Sequence, residues 1–424
     1  MGILSSMHTA RSGLQTMGDA LGVYGDNIAN SQTVGFKASR PEFSDIMVKN
    51  TMNGGLQIGR GVKLEAVTPL FTQGSILQTE SPTDLSITGE GMFTLDGPDG
   101  RFYSRNGSLH FDREGKLVNA EGYRVLGFEA DVDGRITSKM QPMQVARTVI
   151  DAKGTQEAKM FLNLDNRADP TIVFDPKRPD ATSHFATGVQ VIDSAGAPHI
   201  LSMYFNRSES GDWTWRAMAK GEEVVGGQKN TMVEQASGKL IFDKDGRLLE
   251  QVTDNNSFNF KGGAQPDYNI KFNFGKDKKS GGDGLEVTQY GSDSEAYKTV
   301  ADGYKVGTLT GLSFNEDGVL EAQYTNGESV KVAQIALAKF DAPEFLLKVG
   351  QNRFRETRNS GQPTIGGPRQ AGRGAVASKS LETSTTDIAN EFINLMNTER
   401  SFQANSRVIS TADEMMQEIL NLKK

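Results

Sequence analysis

Apolar residues recur at helical, seven-residue spacing at both ends of this chain, and no other feature narrows its possible folds as much. Near the start, Ile3, Met7, Ala10, Leu14, Met17, Leu21, Tyr24 and Ile28 follow one another at alternating steps of four and three, the heptad stripe of an amphipathic helix. Near the end, Leu381, Ile388, Leu395, Phe402, Ile409 and Met416 fall at every seventh residue. Phe392 and Leu420 begin a second seam there, which Glu399, Ser406 and Asp413 interrupt. At 1.5 Å per residue the two helices would be roughly 40 and 60 Å long, well beyond the mean globular helix. Either stripe alone would read as the core face of an ordinary helix. Two of them, at opposite termini, read as partners. Gly13, Gly18, Gly22 and Gly25 interrupt the first helix, each costing about 1 kcal/mol relative to alanine. Such a helix needs a partner, so both segments are expected to order on pairing and assembly. The residues expected to carry that pairing are Met7, Leu14, Met17, Leu21, Ile28, Leu381, Ile388, Phe392, Leu395, Phe402, Ile409 and Met416.

Between the ends the pattern changes to short alternating segments rich in Phe, Tyr, Val and Thr, cut at short intervals by Gly, Asn and Asp. This is β-sheet patterning. A small repeat supports it: Phe111-Asp112-Arg113-Glu114-Gly115-Lys116-Leu117, Phe242-Asp243-Lys244-Asp245-Gly246-Arg247-Leu248 and Phe314-Asn315-Glu316-Asp317-Gly318-Val319-Leu320. An apolar strand end, an Asp or Asn that bonds the turn backbone and a Gly at positive φ are the parts of a hairpin turn with a bulge. The fold class expected is therefore mixed and mainly β, with the terminal helices pairing as an α-helical coiled-coil domain around two β-rich domains.

The expected organisation is nested. Residues 1–30 and 380–424 make the helical domain, 31–90 and 361–379 an extended connector, 91–150 and 285–360 an inner β-domain, and 151–284 an outer one. Pro170, Pro176 and Pro179 mark the entrance to the outer domain, and the Gly- and Lys-rich run 276–284 its return.

Chemistry is sparse. The chain of 424 residues has no cysteine, which removes disulfides, thiolate metal sites and a thiol nucleophile. His8, His110, His184 and His199 lack metal-ligand spacing, and no phosphate-cradling or nucleophile-elbow motif is present. The turn repeats lack the spaced oxygen ligands of a calcium loop. No cofactor or metal is expected, and no enzymatic activity. With 46 basic against 53 acidic residues and a formal charge of −7, nucleic acid is not an expected partner. Membrane insertion is not expected, since no stretch approaches about 18 apolar residues, and Met1 to Ile28 does not read as a cleavable secretory signal. Trp213 and Trp215 alternate in a strand-like segment, and their expected place is the sheet core.

Three stretches carry a family resemblance. The first is Gly25-Asp26-Asn27-Ile28-Ala29-Asn30-Ser31-Gln32-Thr33-Val34-Gly35-Phe36-Lys37. The second is Thr386-Asp387-Ile388-Ala389-Asn390-Glu391-Phe392, with Glu399 to Ile409 after it. The third runs from Asp84-Leu85-Ser86-Ile87-Thr88 to Asn106-Gly107. Together they resemble the rod and hook family of bacterial flagellar axial proteins, with Asn27, Asn30, Gly35, Phe36 and Lys37 as N-terminal signature positions. The middle, Val189 to Trp213 and Tyr324 to Phe340, is similar to the hook branch of that family, since distal rod proteins are shorter and lack an outer β-domain. Distal rod or hook-associated proteins are the alternative within the family. A secreted carbohydrate-binding or hydrolytic β-protein is the alternative from another class. The resemblance implies a homopolymeric helical tube that acts as a flexible universal joint. It also implies contacts with the distal rod protein, the hook cap and the hook–filament junction proteins, and export by the flagellar type III apparatus to the cell exterior. Met7 to Leu14 occupies the place of an export-recognition segment.

Overall fold

The computed structural model describes residues 2–46, 59–131, 134–145 and 147–421. Met1, the side chain of Ile3, residues 47–58 of the expected connector, residues 132, 133 and 146 of the expected inner domain and residues 422–424 of the expected helical domain lie outside them. The chain is mainly β, with a long helix at each end. It divides into two compact units, one of Met1–Ala146, Gly311–Gln323 and Ser329–Lys424, the other of Arg147–Thr310 and Tyr324–Glu328.

In the first unit the chain runs out and back beside itself. The N-terminal helix (Gly2–Ala29) and the C-terminal helix (Ile388–Asn421) pair. Strand Ile76–Gln78 pairs antiparallel with Ser380–Glu382, and Leu85–Thr88 with Ala375–Ser378. The expected connector is thus extended, but as matched strands that satisfy each other's backbone groups. Further out, strand Met92–Gly97 takes Gly100–Ser104, Arg124–Ala130 and the returning Leu337–Lys339 as antiparallel neighbours. Leu85, Ile87, Phe93, Leu95, Val125, Leu320, Ile335 and Leu337 fill the core.

Leu381 needs correction. It sits in strand Ser380–Glu382 opposite Leu77, not in the helical stripe, and the helix begins only at Ile388. The intervening Thr383-Ser384-Thr385-Thr386-Asp387 explains why: β-branched and hydroxylic residues favour extended backbone and caps over helix interior. Asp387 is the cap. Its Oδ1 accepts from the amides of Ala389 at 3.0 Å and Asn390 at 3.2 Å.

In the second unit five antiparallel strands, Phe185–Ile192, Pro198–Arg207, Trp213–Lys220, Met232–Phe242 and Leu248–Asn256, follow in sequence order. A smaller sheet forms around Glu157–Asn163, and the two share one core. Strand Glu295–Ala301 pairs with Glu157–Asn163, so this unit runs to Thr310, past the expected boundary at 284. Trp213 and Trp215 are buried in its core, Trp215 at 5.2 Å from the ring of Phe272 and 5.4 Å from that of Phe274. Neither indole offers a face to a ligand.

The repeated turn has the expected build. The side-chain oxygens of Asp112, Asp243 and Asn315 accept from the amides of Lys116, Arg247 and Val319 at 2.8, 2.8 and 2.9 Å. Gly115, Gly246 and Gly318 take φ of +76°, +75° and +66°. The same bond recurs at Asn119 to Tyr123, at Asp131 to Arg135 and at Asp193 to Ala197, each 2.8 Å. The repeat's flanking Phe and Leu conceal these three copies, because the turn itself needs only Asp or Asn followed three positions later by Gly.

Candidate functional site

The helix pair is antiparallel: Gly13 lies against Asn405, while Tyr24 and Asn27 lie beside Glu391. The most fully buried positions of the pair are small or polar. Ala10, Gly13, Thr16 and Ala20 of the first helix are buried, as are Thr398 and Ala412 of the second. A Cβ at Gly13 would stand 2.8 Å from Asn405 Nδ2, so glycine here permits a close helix approach. That use offsets its cost to helix propensity.

The large apolar residues are less fully buried. Met7, Leu14, Met17, Leu21 and Ile28 are half-buried, as are Leu395, Ile409 and Met416. Ile388, Phe392 and Phe402 are exposed, Phe392 by 49%. At about 100° per residue and with antiparallel right-handed helices, the Met7–Leu14–Leu21–Ile28 stripe shares one flank of the pair with Ile388, Phe392 and Phe402. The opposite side of the first helix is covered by the ribbon of Ser39–Asp45 and Val62–Pro69. There Thr16 Oγ1 donates to Val62 O at 3.2 Å and Val62 N to Ser12 Oγ at 3.3 Å. Among the described residues, Ile388, Phe392 and Phe402 on the apolar flank stay exposed.

Where the helix pair meets the β-body, the signature residues build an anchor. Asn27 is buried and copies a strand partner: its Nδ2 donates to Ser39 O at 2.7 Å and its Oδ1 accepts from Ser39 N at 2.8 Å. Asn30 closes the helix end, donating to Asp26 O at 2.9 Å and accepting from Thr33 Oγ1 at 3.1 Å. Gly35 has φ +67°, and a Cβ there would stand 2.6 Å from Asn106 N. Gly35→Ala is expected to cost about 1–2 kcal/mol from φ alone, with the clash in addition; urea unfolding of the full chain measures it. The ring of buried Phe36 lies beneath Lys348 Nζ, 4.9 Å from its centre. Lys348 also donates to Lys37 O at 3.1 Å and Ser39 Oγ at 2.6 Å.

Lys37 leads to a buried ion cluster. Its Nζ lies 2.6 Å from Glu382 Oε1 and donates to Thr72 O at 2.6 Å. Arg105 Nη1 reaches Glu382 Oε2 at 3.0 Å. The Lys37, Glu382 and Arg105 side chains are 1%, 0% and 7% exposed. Gly74 N donates to Glu382 at 2.7 Å, and Arg105 donates to Ile87 O at 3.1 Å and Gly89 O at 2.5 Å. Burial pushes Lys37 and Arg105 below their ordinary values while Glu382 opposes the shift. Distant stretches of chain converge here: Lys37 at the exit of the first helix, Thr72 and Gly74 ahead of strand Ile76–Gln78, Ile87 and Gly89 at strand Leu85–Thr88, Arg105 after strand Gly100–Ser104, and Glu382 at the end of strand Ser380–Glu382. Lys37 was in the sequence signature. Glu382, Arg105, Lys348 and Asn352, whose Nδ2 donates to Val34 O at 2.8 Å, carried no local pattern that singled them out.

Near this anchor burial raises the carboxyl of Glu391, with Asp387 adding to the shift and Asn27 opposing it. Elsewhere His199 lies between Glu223, at 2.8 Å, and Asp193, at 3.0 Å, stacked on Phe260. Among the described residues no group of His, Asp and Glu could hold a metal ion, and no helix is long and apolar enough to cross a membrane.

Known proteins match along the whole chain. Residues 7–37 match the flagella basal body rod protein family and 377–422 the flagellar basal body rod FlgEFG protein C-terminal family. Residues 86–157 match the flagellar hook protein FlgE/F/G D1 domain and 162–304 the flagellar basal body protein FlaE D2 domain. Flagellar hook protein FlgE of Escherichia coli K12 is 31% identical over 98% of this chain and 99% of that protein. The FlgE of Treponema pallidum is 31% identical over 100% of both chains. The crystal structure of Helicobacter pylori flagellar hook protein FlgE2 superposes with a TM-score of 0.52 at 14% identity, covering 72% of this chain and 100% of that one, and shares its fold. Paired terminal helices, an anchor built from the signature residues and end-to-end similarity lead to one conclusion: the chain belongs to the flagellar hook protein FlgE family, as a structural component of the hook.

Proposed function

We propose that copies of this chain stack into a flexible tube, the joint that carries torque from rod to filament, with the helix pairs lining it and the β-rich units outside. The observation that carries this reading is the apolar flank of the helix pair. Met7, Leu14, Leu21, Ile388, Phe392 and Phe402 are too many large apolar groups on one side to be left in water by a lone subunit, and other copies would bury them. The ion anchor supports the mechanical part of the reading, since a load on the helices reaches the β-body through buried, short, charge-assisted bonds. Separate cores in the two units allow the outer one to shift against neighbouring copies as the tube bends.

The roles expected of the parts follow. Residues 1–30 and 380–424 assemble, 31–90 and 361–379 connect the helices to the β-rich regions, and the inner and outer β-rich regions form the exterior. The distal rod protein would meet one end of the tube, the hook cap and the hook–filament junction proteins the other. Subunits would leave the cell unfolded through the flagellar type III apparatus. The work is mechanical, and we assign no catalytic residue.

A strain lacking its hook gene and supplied with this chain tests the proposal. Hooks should be visible on detached flagella with the parent chain and absent with Leu21→Asp or Phe392→Asp, because a buried carboxylate at a subunit contact costs several kcal/mol. The unfolding free energies of the β-units, measured in urea, should change by no more than about 0.5 kcal/mol. Normal hooks on both variants would refute the role of the flank.

A further inference from the structure

Pairing of the terminal helices encloses one acid that it does not satisfy. Glu391 stands in the first turn of the C-terminal helix, against Tyr24 and Asn27 of the N-terminal one. The residue as a whole is half-buried, but its Oε2 is shut off from water and accepts no hydrogen bond from any described residue. A helix N-terminus ordinarily favours an anion. Here Asp387 already fills that role: its side chain accepts from the amides of Ala389 and Asn390 and from Asn390 Nδ2 at 2.7 Å, and its carbonyl accepts from the amide of Glu391 at 2.9 Å. A carboxylate four residues further on adds like charge to the same turn. Asn27 favours the anion, yet its amide nitrogen and oxygen are already engaged with Ser39. No lysine, arginine or histidine is among the groups that act on the Glu391 carboxyl.

We infer that Glu391 is an acid-operated latch on the helix pair: with its carboxyl neutral the anchor end of the pair closes, and with the carboxyl ionised that end is held more loosely. A carboxylate needs water or donors around both oxygens, and the closed pair supplies neither at Oε2. The neutral acid carries its own proton there and removes the repulsion from Asp387. Burial first, and then Asp387, push the carboxyl above the ordinary glutamate range in the folded chain. A group raised in this way stabilises the fold fully below its ordinary value and loses that contribution as the pH rises through the raised one. Pairing is therefore tightest in mild acid and weakens toward neutral pH. The Tyr24 hydroxyl is pushed up as well, by burial and then by Glu391, and stays neutral over this range. The latch acts within one chain and does not depend on the assembly of copies.

Amide hydrogen exchange of the full chain at about pH 5 and about pH 7, corrected for the intrinsic pH dependence of exchange, tests the latch. In the parent chain the protection of residues 20–29 and 388–398 should be several-fold higher on the acid side. Glu391→Gln, which carries no charge at either pH, should show the higher protection at both. Glu391→Ala is equally without charge and gives the same comparison should the glutamine variant fail to fold. Strand Met92–Gly97 should stay protected in every sample, which shows that the β-body is folded. Equal protection of the two helical segments at both pH values in the parent, or an equal lack of it, would overturn the inference. So would a pH dependence of the same size in the uncharged variants as in the parent.

Discussion

Glu382→Gln should destabilise the first unit by about 3–5 kcal/mol, the cost of removing one partner from a buried ion pair. The carboxylate is fully buried and answers two cations at once, Lys37 at 2.6 Å and Arg105 at 3.0 Å. Glutamine keeps the shape and leaves both cations without their counter-charge. Lys37→Met should cost less, because Arg105 still neutralises the carboxylate and the methionine fills the space of the lysine stem. Urea unfolding followed by hydrogen exchange separates the outcomes. Protection should fall first in strands Ile76–Gln78 and Ser380–Glu382, which carry the anchor. A midpoint for Glu382→Gln unchanged from the parent would show that the cluster contributes nothing to the joint between helices and β-body.

Trp215→Ala is the second large effect, expected at about 3–5 kcal/mol for an aromatic deleted from a packed core. Trp215 is buried against Phe272 and Phe274, and a Cβ on Gly238 of the neighbouring strand would stand 2.8 Å from its ring. The loss should be confined to the second unit, because the first has a separate core. Amide protection should drop across residues 147–310 and persist in strand Met92–Gly97. Saturable sugar or peptide binding by the parent chain, lost in the variant without loss of stability, would return the tryptophans to the role of a ligand platform.

Local patterns were legible where a physical requirement repeats along the chain. The heptad spacing located both helices, and Asp or Asn followed by Gly located turns at 112–115, 243–246 and 315–318. The turns that start at Asn119, Asp131 and Asp193 lack the flanking Phe and Leu of the repeat and share only its Asp or Asn and Gly. Leu381 fitted the seven-residue period and still belongs to a strand. Periodicity extends past a helix start without cost, whereas the Asp387 cap sets where hydrogen bonding begins.

How fully each position of the helix pair is buried was not legible. A stripe of Met, Leu and Ile reads as the seam in any single-sequence argument, because burial of large apolar groups is the strongest local signal. The structure buries Ala10, Gly13, Ala20, Thr398 and Ala412 most fully and leaves Met7, Leu14, Met17, Leu21, Ile28, Leu395, Ile409 and Met416 half-buried.

Residue spacing alone determined that this chain has long amphipathic ends around a β-rich, turn-punctuated middle, because helix and strand periods are imposed by neighbouring residues. Tertiary structure decided which side of each helix is covered. It also decided that Lys37 and Glu382, 345 positions apart, share a buried bond. Pairing over such a separation depends on how the out-and-back path brings its two strands together, and no local pattern of residues encodes that.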